Sequence, residues 1–201
     1  RLSMASSKAT ADPVQGIEGS SVVTSMALYS RGVAIRVSGI GDEWQLGPYP
    51  QVNAKMFEGF TPEDIDWIGG ESIINETVGL GGFAQAAAFP LQNYQGGSPE
   101  AMVEMNLAMY EITVGEHTDY RIPFLRYRGT PTGIDVFRVA RTGITPALDV
   151  GLAGRDGGQI GAGIVRAPIE CFTSAVATYE SVYGSAPSQP AQAATDRRED
   201  L

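Results

Sequence analysis

Cysteine and histidine are almost missing from this 201-residue chain: Cys171 and His117 each stand alone. One cysteine excludes an intramolecular disulfide framework and any Cys-x-x-Cys metal knuckle, and one histidine excludes a His-rich zinc site. A lone thiol fits a reducing compartment, and the chain reads as cytoplasmic. Positive charge is also scarce. The chain has 14 Lys and Arg against 23 Asp and Glu, a formal net charge of −9. That argues against a nucleic-acid or anionic-membrane partner, because phosphate-rich surfaces recruit basic proteins. Long apolar runs are missing too. Val78–Ser98, the longest nearly uncharged stretch, is broken by five glycines and Pro90, so no membrane-spanning helix is expected.

What is present is an ordinary globular balance, 43% hydrophobic and 18% charged, enough for one substantial core. We expect a single α/β domain over residues 1–184 and a disordered, Ala/Pro/Gln-rich tail over 185–201. The first residues, around Leu2, Met4, Ala5 and Ala9, read as the middle of a helix, so an upstream segment is expected.

The patterning predicts a β-hairpin first. Val22–Tyr29 and Val33–Val37 flank Ser30-Arg31-Gly32, and Arg36 faces away from the apolar row. Extended chain over Trp44–Val52 follows. Ser98-Pro99-Glu100 opens a helix whose Met102, Met105, Met109 and Ile112 share a core face. Asp135 caps a second helix, Val136–Thr142, ended by Gly143. Ala147–Leu152 and Ile160–Val165 read as strands, and Pro168 opens a last helix ended by Gly184. Together these describe a mixed sheet, hairpin-led in its first half, with helices packed on it.

Three Gly/Thr/Arg-rich segments are the candidate working surface: Gly69–Phe83, Gly115–Asp135 and Gly151–Arg166. In the first, glycines feed an expected helix over Ala84–Ala88. Backbone N–H groups there, with Thr77, Gly81 and Gly82, suit an anion, and Glu76 is a candidate catalytic residue. Tight packing of a small-residue helix explains the glycines equally well. In the second, His117 sits in a loop flanked by acids, a candidate general base or a plain surface histidine. Arg121, Arg128, Thr130, Thr132 and Asp135 offer guanidinium forks and hydroxyls for a carboxylate or phosphate. In the third, Arg155 and Arg166 are the charges to test, and Arg36 completes the substrate-binding set. Cys171 reads as a small core residue. No metal or organic cofactor is called for by these motifs.

The strings Glu76-Thr77-Val78-Gly79-Leu80-Gly81-Gly82-Phe83-Ala84, Arg128-Gly129-Thr130-Pro131-Thr132-Gly133-Ile134-Asp135-Val136 and Gly161-Ala162-Gly163-Ile164-Val165-Arg166-Ala167-Pro168 resemble the YlbE/YahG-like bacterial family of unknown function. So do Gly19–Thr24, Ile35–Gly39 and Tyr120–Pro123. The resemblance runs from about Leu2 to Tyr183 and implies that the chain is the C-terminal half of a longer architecture. It also implies a link to FdrA-like proteins and to oxamate carbamoyltransferase in purine and allantoin catabolism, with an FdrA-like partner subunit and a homo- or hetero-oligomer. It transfers no catalytic residue.

Three functions are therefore weighed. The first is a carbamoyltransferase-type subunit holding a small anionic metabolite on its Gly/Arg-rich loops. The second is a non-catalytic binding or assembly subunit of such a complex. The third is a hydrolase using Glu71, Glu76, Asp119 and Asp135 as hard-metal ligands.

Overall fold

The computed structural model describes residues 2–184. Helix α1 (Leu2–Ala11) leads into strand β1 (Val23–Tyr29), which pairs antiparallel with β2 (Gly32–Val37). The link between them is Ser30-Arg31 alone, because Gly32 pairs with Tyr29 inside the ladder. Of the extended Trp44–Val52 stretch, only β3 (Gln45–Gly47) joins this sheet, against β2. Beyond β3, Pro48 and Pro50 lack the N–H a ladder needs.

A second sheet has the order β4-β9-β8-β5, built from β4 (Ala54–Met56), β5 (Ile65–Gly69), β8 (Ala147–Gly154) and β9 (Gln159–Arg166). A two-stranded ribbon, β6 (Thr113–Ile122) with β7 (Arg128–Ile134), makes the third. Helices and sheets share one core, as an α/β chain should, and every strand pairing is antiparallel. The core joins Ile35 and Val37 of β2, Leu148 and Leu152 of β8, and Phe172 of the last helix.

Of the four further α-helices, three carry their expected signals. The short α2 (Gln92–Gln95) precedes α3 (Pro99–Glu111), where Ser98 Oγ accepts from Ala101 N. Met102 and Met109 of α3 are buried and Met105 packs against the core, so the methionines are interior. Helix α4 (Val136–Thr142) starts at Asp135, whose carboxylate accepts from Arg138 N, and stops at Gly143. Helix α5 (Ile169–Tyr183) buries Cys171, Phe172, Ala175 and Tyr179.

The expected helix over Ala84–Ala88 does not form. The chain makes separate 3₁₀ turns over Gly81–Phe83, Gln85–Ala87 and Phe89–Leu91 instead. Two forces act against the helix. Pro90 disfavours helical backbone at the residue before it, and the fully buried Asn106 captures the backbone from the side. Asn106 Oδ1 accepts from Ala86 N and its Nδ2 donates to the Phe83 carbonyl, each at 3.0 Å. The Phe83 carbonyl is the group the first turn of that helix would have offered to Ala87 N, which bonds the Ala84 carbonyl instead.

His117 lies in β6 rather than in a loop. The ladder pairs Glu116 with Pro131 and resumes at Arg121 with Gly129, so residues 117–120 bulge out. From Glu116 to Arg121 β6 advances five positions while β7 advances only two, from Pro131 to Gly129, so the excess residues of β6 loop out. His117 Nδ1 accepts from Asp119 N and Tyr120 N at 3.0 and 3.2 Å and so holds the bulge together.

Candidate functional site

The first Gly-rich segment is the hub on which the other two converge. Glu71–Val78 is a 3₁₀ stretch that packs against α1, β1, β7 and β8. Its far end meets the second segment, where a Cβ on Gly79 would lie 2.8 Å from the Pro131 carbonyl. It meets the third along β5 and β8, where Gly69 pairs with Gly151. A Cβ on Gly82 would lie 2.1 Å from the Ala147 carbonyl, so only glycine permits that approach.

Glu76 sits at the centre of this hub, 1% exposed. Its Oε1 accepts from Gly82 N at 3.0 Å and from Asp149 N at 2.9 Å, while Oε2 is buried without a partner. Gly81 lies left-handed at φ 58, and a Cβ there would come within 2.4 Å of Glu76 Oε1. The glycines therefore do cradle a carboxyl group, and it is the protein's own. Burial pushes that carboxyl up to about 8, against the pull of the Asp149 and Gly82 N–H groups, and the neighbouring Asp149 charge adds to the rise. That burial favours the neutral form of Glu76.

Asp149, on β8, is the second acid of the pair. Burial raises it to about 6, opposed by Gln95, whose Nε2 donates to Asp149 Oδ2 at 2.7 Å. Asp149 is thus the more readily ionised of the pair. The Gln95–Asp149 bond joins two clefts. One, of about 380 Å³, is lined by Asp149 with Ser72, Tyr94 and Gln159. The other, of about 330 Å³, is lined by Gln95 with Lys55, Gln85 and Ser98. Gln95 is 7% exposed, and its Oε1 is buried with no partner.

The arginines are dispersed and engaged elsewhere. Arg128 Nε donates to Glu116 Oε1 at 2.8 Å and its guanidinium lies 3.5 Å over the Tyr110 ring. Arg166 Nη1 donates to the Thr145 carbonyl at 2.9 Å. Arg121 donates to the Thr118 and Tyr127 carbonyls. Arg36 lies 4.9 Å over Trp44 and 3.9 Å from Asp42. Arg155 is exposed on the β8–β9 turn, its N–H on the Asp64 carbonyl. None of them lines either cleft.

Of the remaining sequence candidates, Thr77 is buried and donates to the Ile74 carbonyl. Thr130 is buried with its Oγ1 unpartnered, beside Gly79. Thr132 is half-buried on β7. Asp135 is occupied as the α4 cap and also accepts from Ser21 Oγ. Asp119 is exposed on β6. Among the described residues no three His, Cys, Asp or Glu side chains gather as a metal site, which leaves the hydrolase alternative without a ligand set there. Cys171 is interior, its thiol pushed up to about 12 by burial.

Sequence reasoning reached Glu76, Gly81 and Gly82 but missed Asp149 and Gln95. Asp149 carried a readable signal, an acid inside the otherwise uncharged apolar run Ala147–Leu152. Gln95 carried none.

Comparison with known proteins gives the class first. Residues 1–72 match the family model described as Oxamate carbamoyltransferase subunit AllG. The chain is 42% identical over 183 residues to the uncharacterized protein YahG of Escherichia coli (strain K12), 90% of this chain and 39% of YahG. It is 38% identical over 178 residues to the oxamate carbamoyltransferase subunit AllG of the same organism, 87% of this chain and 42% of AllG. A crystal structure of a conserved protein of unknown function from Enterococcus faecalis V583 superposes with a TM-score of 0.86 at 37% identity, over 90% of this chain and 44% of that one. The chain is thus a relative of the YahG-like and AllG proteins, and it spans about two-fifths of the curated relatives' length. No helix among the described residues is long and apolar enough to cross a membrane.

Proposed function

We propose that this chain is a working part of a carbamoyltransferase-type subunit that acts on a small anionic amide or ureide. Its substrate site is the seam where Asp149 and Gln95, backed by the buried Glu76, join two clefts. The observation that supports this reading is a pair of carboxyl groups raised by burial, of which Asp149 lines one cleft and is bonded through the Gln95 amide to the other. Such groups gather at working sites. The pair occurs in a chain 38% identical to a protein named as an oxamate carbamoyltransferase subunit.

In carbamoyl transfer from oxalurate to phosphate, a phosphate oxygen attacks the carbamoyl carbon and a C–O bond forms. The C–N bond to oxamate breaks, and that nitrogen takes a proton. Orientation and polarisation of the carbamoyl group carry most of this chemistry, and no protein nucleophile is needed. The interior Cys171 is in keeping with that. An FdrA-like partner subunit supplies the phosphate-binding part in this reading, because the cation lining the clefts among the described residues is Lys55 alone. The arginines already held by local acceptors receive no substrate role.

The assay is carbamoyl phosphate formation from oxalurate and phosphate by the intact assembly. Asp149→Asn lowers the rate by about tenfold or more, while Arg128→Ala and Arg166→Ala stay near wild type. Loss of turnover in both arginine variants with full turnover in Asp149→Asn would return the site to the arginine loops.

The alternative of a binding or assembly subunit draws on the β6–β7 ribbon. Phe124 and Tyr127 at its end are 62% and 65% exposed, aromatics of the kind that protein interfaces favour.

A further inference from the structure

The sheet of β1, β2 and β3 buries one face in the core and leaves the other without polar cover. Met26, Leu28, Val33 and Ile35 are the core side. On the opposite side of the same ladder Ala27 pairs with Ala34 and Ala34 with Leu46, one row across all three strands. A half-solvated antiparallel sheet normally turns polar side chains outward. Here Tyr29 and Trp44 flank the row, and with Arg31 they line an open groove of about 460 Å³. Leu46 is 56% exposed and Trp44 40% exposed. An exposed apolar patch with polar ends marks an interaction site, and Trp, Tyr and Arg are the side chains that carry interface energy.

The charges at the two ends say which partner fits. Arg31 sits at the β1–β2 turn and forms no ion pair among the described residues. At the other end the Arg36 guanidinium stacks on Trp44 and holds the exposed Asp42 loosely, at 3.9 Å. Five residues of chain separate Arg31 from Arg36, about 16 Å of extended backbone. The face is therefore basic at the turn, carries an exposed carboxylate at the far end and is apolar between. Turned about a two-fold axis that crosses the strands near Ala34, it is its own complement. Leu46 packs near its counterpart, and each Arg31 faces the other copy's Asp42. A two-fold running along the strands would set Arg31 against Arg31, so the charges select the crossing arrangement.

We propose that this chain associates with a second copy of itself through the outer face of the β1–β2–β3 sheet, with reciprocal Arg31–Asp42 pairs closing its two ends. Each copy carries a formal net charge of −9, so the bodies repel, and the contact depends on the apolar row and on these two pairs. The surface uses none of the groups assigned to the substrate seam, so the proposal stands or falls apart from the carbamoyl-transfer reading.

Sedimentation velocity of the intact chain, run from low micromolar to millimolar concentration, tests it. The wild type passes from monomer to dimer as concentration rises. Leu46→Glu changes an exposed position that the fold does not need. It weakens the dimer on the order of thirtyfold or more, since a two-fold contact loses the side chain twice. Arg31→Glu and Asp42→Lys each weaken self-association about tenfold, because each sets like charges together at both ends. An equimolar mixture of those two variants regains the wild-type affinity, because every end contact in the mixed dimer again joins opposite charges.

A wild type that stays monomeric throughout overturns the proposal, as does a dimer indifferent to Leu46→Glu or a mixture no tighter than its components. A monomer that uses Leu46 only to hold a different chain overturns it too. Loss of the dimer in Tyr127→Ser with retention in Leu46→Glu would move the self-contact to the ribbon end.

Discussion

Glu76 is where a single residue sets a measurable property of the whole fold. Its carboxyl titrates near the ordinary carboxylate range in the unfolded chain and at about 8 in the folded one. The folded state therefore holds the proton more tightly. Below the unfolded value both states are protonated and the shift contributes nothing. As pH rises from about 4.5 towards 8 the unfolded state releases its proton first, so stability falls across that window and levels off above it. Asp149 adds a smaller decline between its ordinary value and about 6. Glu76→Gln keeps an acceptor for the Gly82 and Asp149 N–H groups and removes the titration. Chemical denaturation from pH 5 to 8 should show the wild type losing on the order of a few kcal/mol and Glu76→Gln losing much less. Parallel profiles would mean that Glu76 is ionised in the fold.

At the scale of elements, the short helix α4 depends on one side chain at its start. Asp135 Oδ1 accepts from Arg138 N at 2.7 Å, and its other oxygen accepts from Ser21 Oγ. The cap therefore also ties α4 to the residues leading into β1, where Val22 and Asp135 form an isolated bridge. Asp135→Ala should cost about 1–2 kcal/mol in urea denaturation, the usual worth of an N-cap. Asp135→Asn should recover most of it, since an amide oxygen still accepts from Arg138 N. A loss below experimental error would assign the start of α4 to packing of the buried Val136 and Val139 alone. The second Gly/Thr/Arg segment thus does local structural work. Its Asp135 caps, its Arg128 is paired and stacked, and its Thr130 and Pro131 back the turn at Gly79.

At the scale of the whole molecule, the ribbon buries β7 and leaves β6 largely uncovered. β6 is buried chiefly at its two ends, Thr113 and Ile122, and an isolated two-stranded ribbon is only marginally stable in water. Phe124 leans on Phe89 edge-on at 4.9 Å, while Tyr127 is exposed. If the chain works inside an assembly, Tyr127→Ser should leave the thermal midpoint within a degree or so of wild type, since exposed substitutions cost little. The same variant should weaken co-purification with the partner subunit. Unchanged co-purification would take the ribbon out of the interface.

Local chemistry alone determined the hairpin, the capped helices α3 and α4, the last two strands and α5. In each the deciding interactions lie within a few residues: Ser98 with Ala101, Asp135 with Arg138, and the period-two row around Ile35. The sequence also singled out Glu76, Gly81 and Gly82, because glycines beside an acid are unusual wherever they fall. Only the tertiary structure decided what that segment does. Asn106 reaches across to unmake the Ala84–Ala88 helix, and the pairing of Arg121 with Gly129 beyond the bulge draws the His117 loop into a strand. Asp149 comes to within a hydrogen bond of Glu76 across 73 residues of chain. Desolvation is a property of that assembled neighbourhood, so the raised carboxyl pair and the two clefts it joins have no counterpart in the linear pattern.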